Sequence, residues 1–304
     1  MGTATSTPSW TFLHPLPGPH WYASAWGDGA GTLWLTGIPS LGRPAPIARS
    51  TDGGHTWALE DFVSRRNHTR IRGVPGGAPW VAGGQGMLVT LHKGKWKRLR
   101  TGLDVALLGL WCASPEVVHL CGAKGTLAVT RDAGRTWSVA PPLTGASLVD
   151  VLGDGAGSLV AVGSDGVILR SDDGARWEVV RAAVEAPKGS ARSWLKSLAT
   201  WQPGCFLAGG DDELLRSEDG GRTWRDVTPP RLVRNITDVC TTASGQWFVG
   251  ALERIVRSDD QGTTWQVEHE LTGAGHRWVY ALHVEADGRG IAVGPHNTGY
   301  VRAV

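Results

Sequence analysis

A chain of 304 residues carrying 30 Lys plus Arg against 28 Asp plus Glu has a formal net charge of +2, so it has no global field for nucleic acid or an anionic membrane. No stretch reaches the length of a membrane span, and Met1-Gly2-Thr3-Ala4-Thr5-Ser6 lacks the charged and apolar regions of a signal peptide; the cytoplasm is the expected compartment. The 43 Gly and 16 Trp, against 4 Phe, 3 Tyr and 2 Met, imply many tight turns and a core built on one repeated aromatic residue. Cys112, Cys121, Cys205 and Cys240 sit in apolar strand-like contexts without CxxC spacing and read as buried free thiols.

In chain order the sequence breaks into repeating units. Residues 8–13 read as an isolated strand bearing Trp10. The first unit, 20–60, opens on His20-Trp21-Tyr22, has an apolar strand at 33–37 and closes on Ser50-Thr51-Asp52-Gly53-Gly54-His55-Thr56-Trp57. The second, 69–100, is approached by Ser64-Arg65-Arg66-Asn67-His68-Thr69-Arg70-Ile71-Arg72 and keeps Trp96, but a short Lys93-Gly94 hairpin replaces the closing motif. The third, 104–140, ends on Thr130 through Trp137, and the fourth, 146–181, on Arg170 through Trp177, with Arg170 and Arg176 at the hydroxyl positions. The fifth, 192–228, follows a loop with Arg192, Trp194 and Lys196 and closes at Ser217 through Trp224. The sixth, 234–268, begins at Arg234-Asn235 and closes at Ser258 through Trp265. The seventh, 276–304, begins with His276-Arg277-Trp278-Val279-Tyr280 and stops without a closing motif.

Each unit therefore reads as four short strands separated by Gly, Pro, Asn and Asp, the pattern of a propeller blade. Ser9-Trp10 and the residues up to Gly18 align with Thr136-Trp137 and the residues up to Gly145. The N-terminal strand is thus expected to complete the last blade, hiding an open edge. The fold class is all-β: one seven-bladed β-propeller with four-stranded antiparallel blades.

The Ser/Thr-x-Asp-x-Gly-x-Thr-Trp motif suits the hairpin between the third and fourth strands. Its hydroxyl and carboxylate oxygens bond the turn's own N–H groups, Gly takes backbone angles that a Cβ resists, and Trp fills the core. Asp52, Asp132, Asp172, Asp219 and Asp260 are accordingly expected to be structural, on the rim opposite the functional loops.

Those loops carry the candidate chemistry. Arg66, Arg70, Arg72, Arg192, Lys196, Arg234 and Arg277, with His20, Trp21, His68, His276, Trp278 and Tyr280, lead into neighbouring blades. They would form a basic, aromatic-lined crescent around the channel. The plainer alternative is solvated basic loops with tryptophans packed between inner strands. Histidines at positions 20, 68 and 276 raise a metal site, though their spacing does not favour one; no cofactor is expected.

The closing motif resembles the Asp-box, or BNR, repeat of β-propellers. The unit Val162-Gly163-Ser164-Asp165-Gly166-Val167-Ile168-Leu169-Arg170-Ser171 is similar to the repeat of photosystem II stability/assembly-factor-like propellers. That resemblance covers essentially the whole chain and implies a non-catalytic scaffold whose arginine-bearing face engages a protein or peptide client; the basic loops suit an acidic client, and a monomer is expected. Sialidases share the Asp-box and supply the enzyme alternative, with Tyr280 as the candidate nucleophile and Arg70, Arg234 and Arg277 as clamps, but no glutamate stands at an inner-strand position to partner Tyr280, Glu185 and Glu285 being the nearest by sequence. No Arg-Ile-Pro motif supports it. Other glycosidase or lyase chemistry in the channel, and a lectin or small-molecule site, remain alternatives.

Overall fold

The computed structural model describes residues 9–13, 16–18, 20–183, 193–229, 233–271, 278–295 and 298–303. Seven four-stranded antiparallel sheets follow one another along the chain. Their first strands are Trp21–Gly27, His68–Arg72, Leu107–Cys112, Leu148–Gly153, Leu195–Gln202, Asp238–Thr241 and Ala281–Val284. Each first strand touches the next, and that of blade 7 touches that of blade 1, so they close an inner ring. The last sheet takes its outer strand, Ser9–Leu13, from the other end of the chain, with Trp10 opposite Arg302 and Phe12 opposite Tyr300. Among the described residues one short 3-10 turn, Ala123–Gly125, is present, and no described helix is long and apolar enough to cross a membrane.

The apolar strands follow from two-sided burial. A second strand such as Val118–Gly122 or Leu159–Gly163 is buried at every position because sheets cover both its faces. The core is divided accordingly into seven clusters, one for each blade–blade interface. Leu35 and Ile291, for example, join blades 1 and 7. Each buried tryptophan contributes on the order of 4–6 kcal/mol of transfer free energy. The four cysteines are free thiols; burial pushes Cys112 and Cys240 up to about 12.

Four closing turns share one hydrogen-bond pattern. In the first, Ser50 Oγ donates to Asp52 Oδ1 (2.7 Å) and accepts from Gly54 N (2.9 Å), Thr56 N donates to Asp52 Oδ1 (2.9 Å), and Trp57 Nε1 donates to Gly54 O (2.9 Å). The turns at Asp132, Asp219 and Asp260 repeat its hydroxyl–carboxylate core. Gly262 shows why glycine is needed: its φ is +89°, and a Cβ would lie 2.7 Å from the Trp247 ring.

Blade 4 corrects the sequence alignment. There the pattern is one residue shorter: Gly174 N donates to Ser171 Oγ and Arg176 N to Asp173 Oδ1, both at 2.8 Å. Asp173, not Asp172, closes this turn, while Asp172 pairs with Arg170 and, at 3.4 Å, with Arg222 of blade 5. In blade 2, Lys93 (φ +49°) and Gly94 (φ +75°) make the two-residue hairpin turn.

Candidate functional site

In five blades the pairing between first and second strands skips one residue: Ala23, Thr69, Leu108, Val149 and Lys196. A bulged residue leaves the ladder and its side chain is re-aimed. These five, with Thr237 and Tyr280 just ahead of the first strands of blades 6 and 7, line a single cavity of about 550 Å³ at the channel mouth. Every blade thus contributes one residue to this ring.

Close backbone approach holds the residue two positions earlier. A Cβ on Gly210 would lie 2.0 Å from Trp194 O, and one on Gly294 would lie 2.1 Å from Trp278 O. Only glycine at the end of the second strand lets the first strand's carbonyl settle there. Trp194 and Trp278 occupy this register and line the cavity, as does Asn67 of blade 2. Trp21 takes the same register in blade 1, against Gly37, and is half-buried. Trp194 remains 37% exposed.

The ring is mainly apolar, and its one lysine is neutralised. Lys196 Nζ pairs with Asp211, which also accepts from Trp194 N at 3.1 Å. Directly beneath, Arg70 is 7% exposed and pairs with Asp150 at 3.4 Å across a gap left by Gly109 of blade 3. Asp150 Oδ2 accepts from Leu198 N (3.0 Å), Asp238 Oδ2 from Leu282 N (2.7 Å) and Ser24 Oγ from Ile71 N (3.1 Å), each stitching one blade to the next. Burial pushes the Asp150 carboxyl up against the pull of Arg70 and Arg72. These acids are occupied by backbone donors and brace the ring.

The expected basic crescent is only partly assembled. Arg72 is not on the mouth: its Nη1 donates to Ala25 O and Ile71 O, both at 2.9 Å, inside the channel, and burial lowers its pKa. His68 lines the cavity but occupies a register held by Leu107, Leu148 and Leu195 in blades 3, 4 and 5. It is fully buried, its Nδ1 lies 2.8 Å from Thr36 Oγ1, and burial lowers it to about 4. His20 is also buried, under Gly18, and burial followed by Arg43 lowers its pKa. Arg66 donates to Gln85 O (3.1 Å) on the rim and Arg234 is exposed. Arg192, His276 and Arg277 lie outside the described residues.

His276 of the three-histidine trio, and Arg277 and Glu185 of the sialidase constellation, lie outside the described residues. No group of three or more His, Cys, Asp or Glu among the described residues could hold a metal. Tyr280 lines the mouth and its phenol is pushed up by burial. Glu285 instead bonds His283 at 3.2 Å, about 17 Å farther along the strand from Tyr280 at 3.4 Å per residue. Glu185 lies outside the described residues. Trp194, in a candidate loop but not named as a binding residue, and Thr237, not singled out by sequence, both line the mouth. Gly210, ending the second strand of blade 5, is the sequence signal for Trp194, whereas blade 6 ends that strand on Ala251 and offers none for Thr237.

A closed ring of seven four-stranded blades, with repeated serine–aspartate turns on one rim and an aromatic mouth on the channel, defines a β-propeller. No protein-family model matches the chain. It is similar to the photosystem II assembly lipoprotein Ycf48 of Prochlorococcus marinus (strain MIT 9313), at 24% identity over 44% of this chain and 54% of that protein. The chain thus spans about half the length of this curated relative. Among solved structures, Ycf48 bound to D1 peptide superposes with a TM-score of 0.76 at 16% identity, covering 99% of both chains. Virginiamycin B lyase from Staphylococcus aureus superposes with a TM-score of 0.80 at 9% identity, covering 98% of this chain and 100% of that one. Likeness at these identities establishes the propeller fold.

Proposed function

We propose that this propeller is a non-catalytic scaffold that holds a peptide segment of a client protein over the channel mouth. The observation that carries this reading is the seven-residue ring crowned by Trp194, Trp278 and Tyr280, a concave aromatic surface whose nearby carboxylates are all committed to the fold. Aromatic anchors in such a setting supply contact area at low entropic cost. The likeness to Ycf48, itself solved with a D1 peptide, supports a peptide as the ligand class. The preferred client segment is apolar or aromatic at its centre and acidic at its flanks, where Arg66 and Arg234 stand exposed or half-exposed. The working form is a monomer. Four free cysteines, three of them buried, support a reducing compartment such as the cytoplasm.

An affinity capture from native lysate tests this, comparing wild type with Trp194→Ala/Trp278→Ala and Arg66→Ala/Arg234→Ala. The reading expects the tryptophan pair to abolish capture of a discrete client and the arginine pair to weaken it, with melting temperatures little changed. Capture that survives the tryptophan pair removes the channel mouth as the client site.

A further inference from the structure

The outer edge of blade 2 carries a charge pattern that the scaffold reading does not use. Residues 92–100 read His92-Lys93-Gly94-Lys95-Trp96-Lys97-Arg98-Leu99-Arg100, five lysines and arginines with no acid. Elsewhere, strand arginines find acids on the neighbouring outer strand: Arg170 with Glu178, Arg257 with Glu268, Arg254 with Glu270. Here the third strand, Leu88–His92, has no arginine and the outer strand, Lys95–Leu99, has no acid. Among the described residues none of the five cations makes an ion pair, and all five are exposed.

Exposed lysines on an edge strand deter unwanted pairing, and that role alone would need no pocket. A cleft of about 450 Å³ nevertheless opens beside them, between blades 2 and 3. Trp80, Leu91 and Leu99 give it an apolar lining, Arg98, Arg100 and Arg135 add positive charge, and no carboxylate lines it. Lys95–Leu99 is also the last strand of its sheet, so its outward N–H and C=O groups are open to one more strand.

We propose that this edge is a docking site for an extended acidic peptide segment of another protein, separate from the channel mouth. The peptide adds as a fifth strand to blade 2, sets alternate carboxylates against Lys95 and Lys97, and places an apolar side chain, at the next position on that face, against Leu99 in the cleft. The period of two along a strand brings such carboxylates to one side in register with Lys95 and Lys97. A nucleic acid is the weaker fit: the chain's net charge of +2 supplies no wider field, and an apolar cleft and an open backbone edge serve a peptide.

The probe is a fluorescein-labelled peptide of alternating Glu and Val with the Glu that would meet Leu99 replaced by Leu, roughly nine residues long to overreach the strand at about 3.4 Å per residue, followed by anisotropy. Comparison probes are the same peptide with alternate backbone amides N-methylated and an oligouridine of equal charge. The proposal expects Lys95→Glu/Lys97→Glu to weaken binding by about tenfold or more at an unchanged melting temperature. N-methylation should weaken it similarly, while Trp194→Ala/Trp278→Ala should have no effect. That last arm separates this site from the channel mouth, so either can fail alone. Equal binding by the charge-reversed variant, by the N-methylated peptide or by oligouridine overturns the proposal.

Discussion

Trp10 Nε1 donates to Glu268 Oε2 at 2.8 Å, tying the first strand of the chain to the outer strand of blade 6. The other carboxylate oxygen accepts from Arg257 Nη1 (2.9 Å) and Arg302 Nη2 (2.8 Å), and Arg302 is only 2% exposed, its guanidinium 5.0 Å above the Phe248 ring. Glu268 is therefore the shared partner at the join that closes the ring. Replacing it with Ala leaves a buried guanidinium unpaired, and the expected loss is about 3–5 kcal/mol. Gln, which keeps the shape and one acceptor, should cost about 1–3 kcal/mol. Denaturant titration of both variants measures this. Deleting residues 1–13 should lower the melting temperature and promote aggregation; a soluble product with the parent's melting temperature would refute closure by this strand.

His68 and His119 are both lowered to about 4 by burial, from 6.5. The unfolded chain then binds more protons than the fold between those values, so stability is complete above about pH 6.5 and falls as pH drops towards 4. For His68 the full span is roughly 3 kcal/mol. His68→Leu, the residue its counterparts carry in blades 3, 4 and 5, should flatten this slope. An unchanged slope in melting temperature against pH would remove His68 as its source.

The closing turns give a second acid window. Hydrogen bonds from Thr136 and Thr264 hold Asp132 and Asp260 at about 2, below the usual 3.8. Their contribution is present above the unfolded value and is lost as pH falls through the folded one. In blade 4, Asp173→Ala should lower the melting temperature by a few degrees, whereas Asp172→Ala should change it less. The sequence alignment predicts the reverse order, so thermal scans of the two variants decide between the registers.

Gly210 links stability to the site. A Cβ there meets Trp194 O at 2.0 Å, a backbone atom that cannot yield without moving the strand. Gly210→Ala should cost about 1–3 kcal/mol and displace Trp194, so that client capture falls along with denaturant stability. Capture retained at wild-type level would detach Trp194 from the binding surface.

Sequence alone determined the architecture. Trp10, Trp57, Trp96, Trp137, Trp177, Trp224 and Trp265 recur because each blade must bury one interface and close one hairpin, and both requirements are local in the chain. The same local logic revealed the missing motif in blade 2 and the strand borrowed by blade 7. The tertiary structure decided which charges are available. A one-residue bulge changes the face that a side chain presents, so Lys196 turns into the mouth beside Asp211 while Arg70 drops beneath it. Arg70 finds Asp150 two blades away, a partner that no spacing rule reveals. Blades could be counted from neighbours in sequence, but the mouth is made of one residue from each of seven blades, and only closing the ring brings them together.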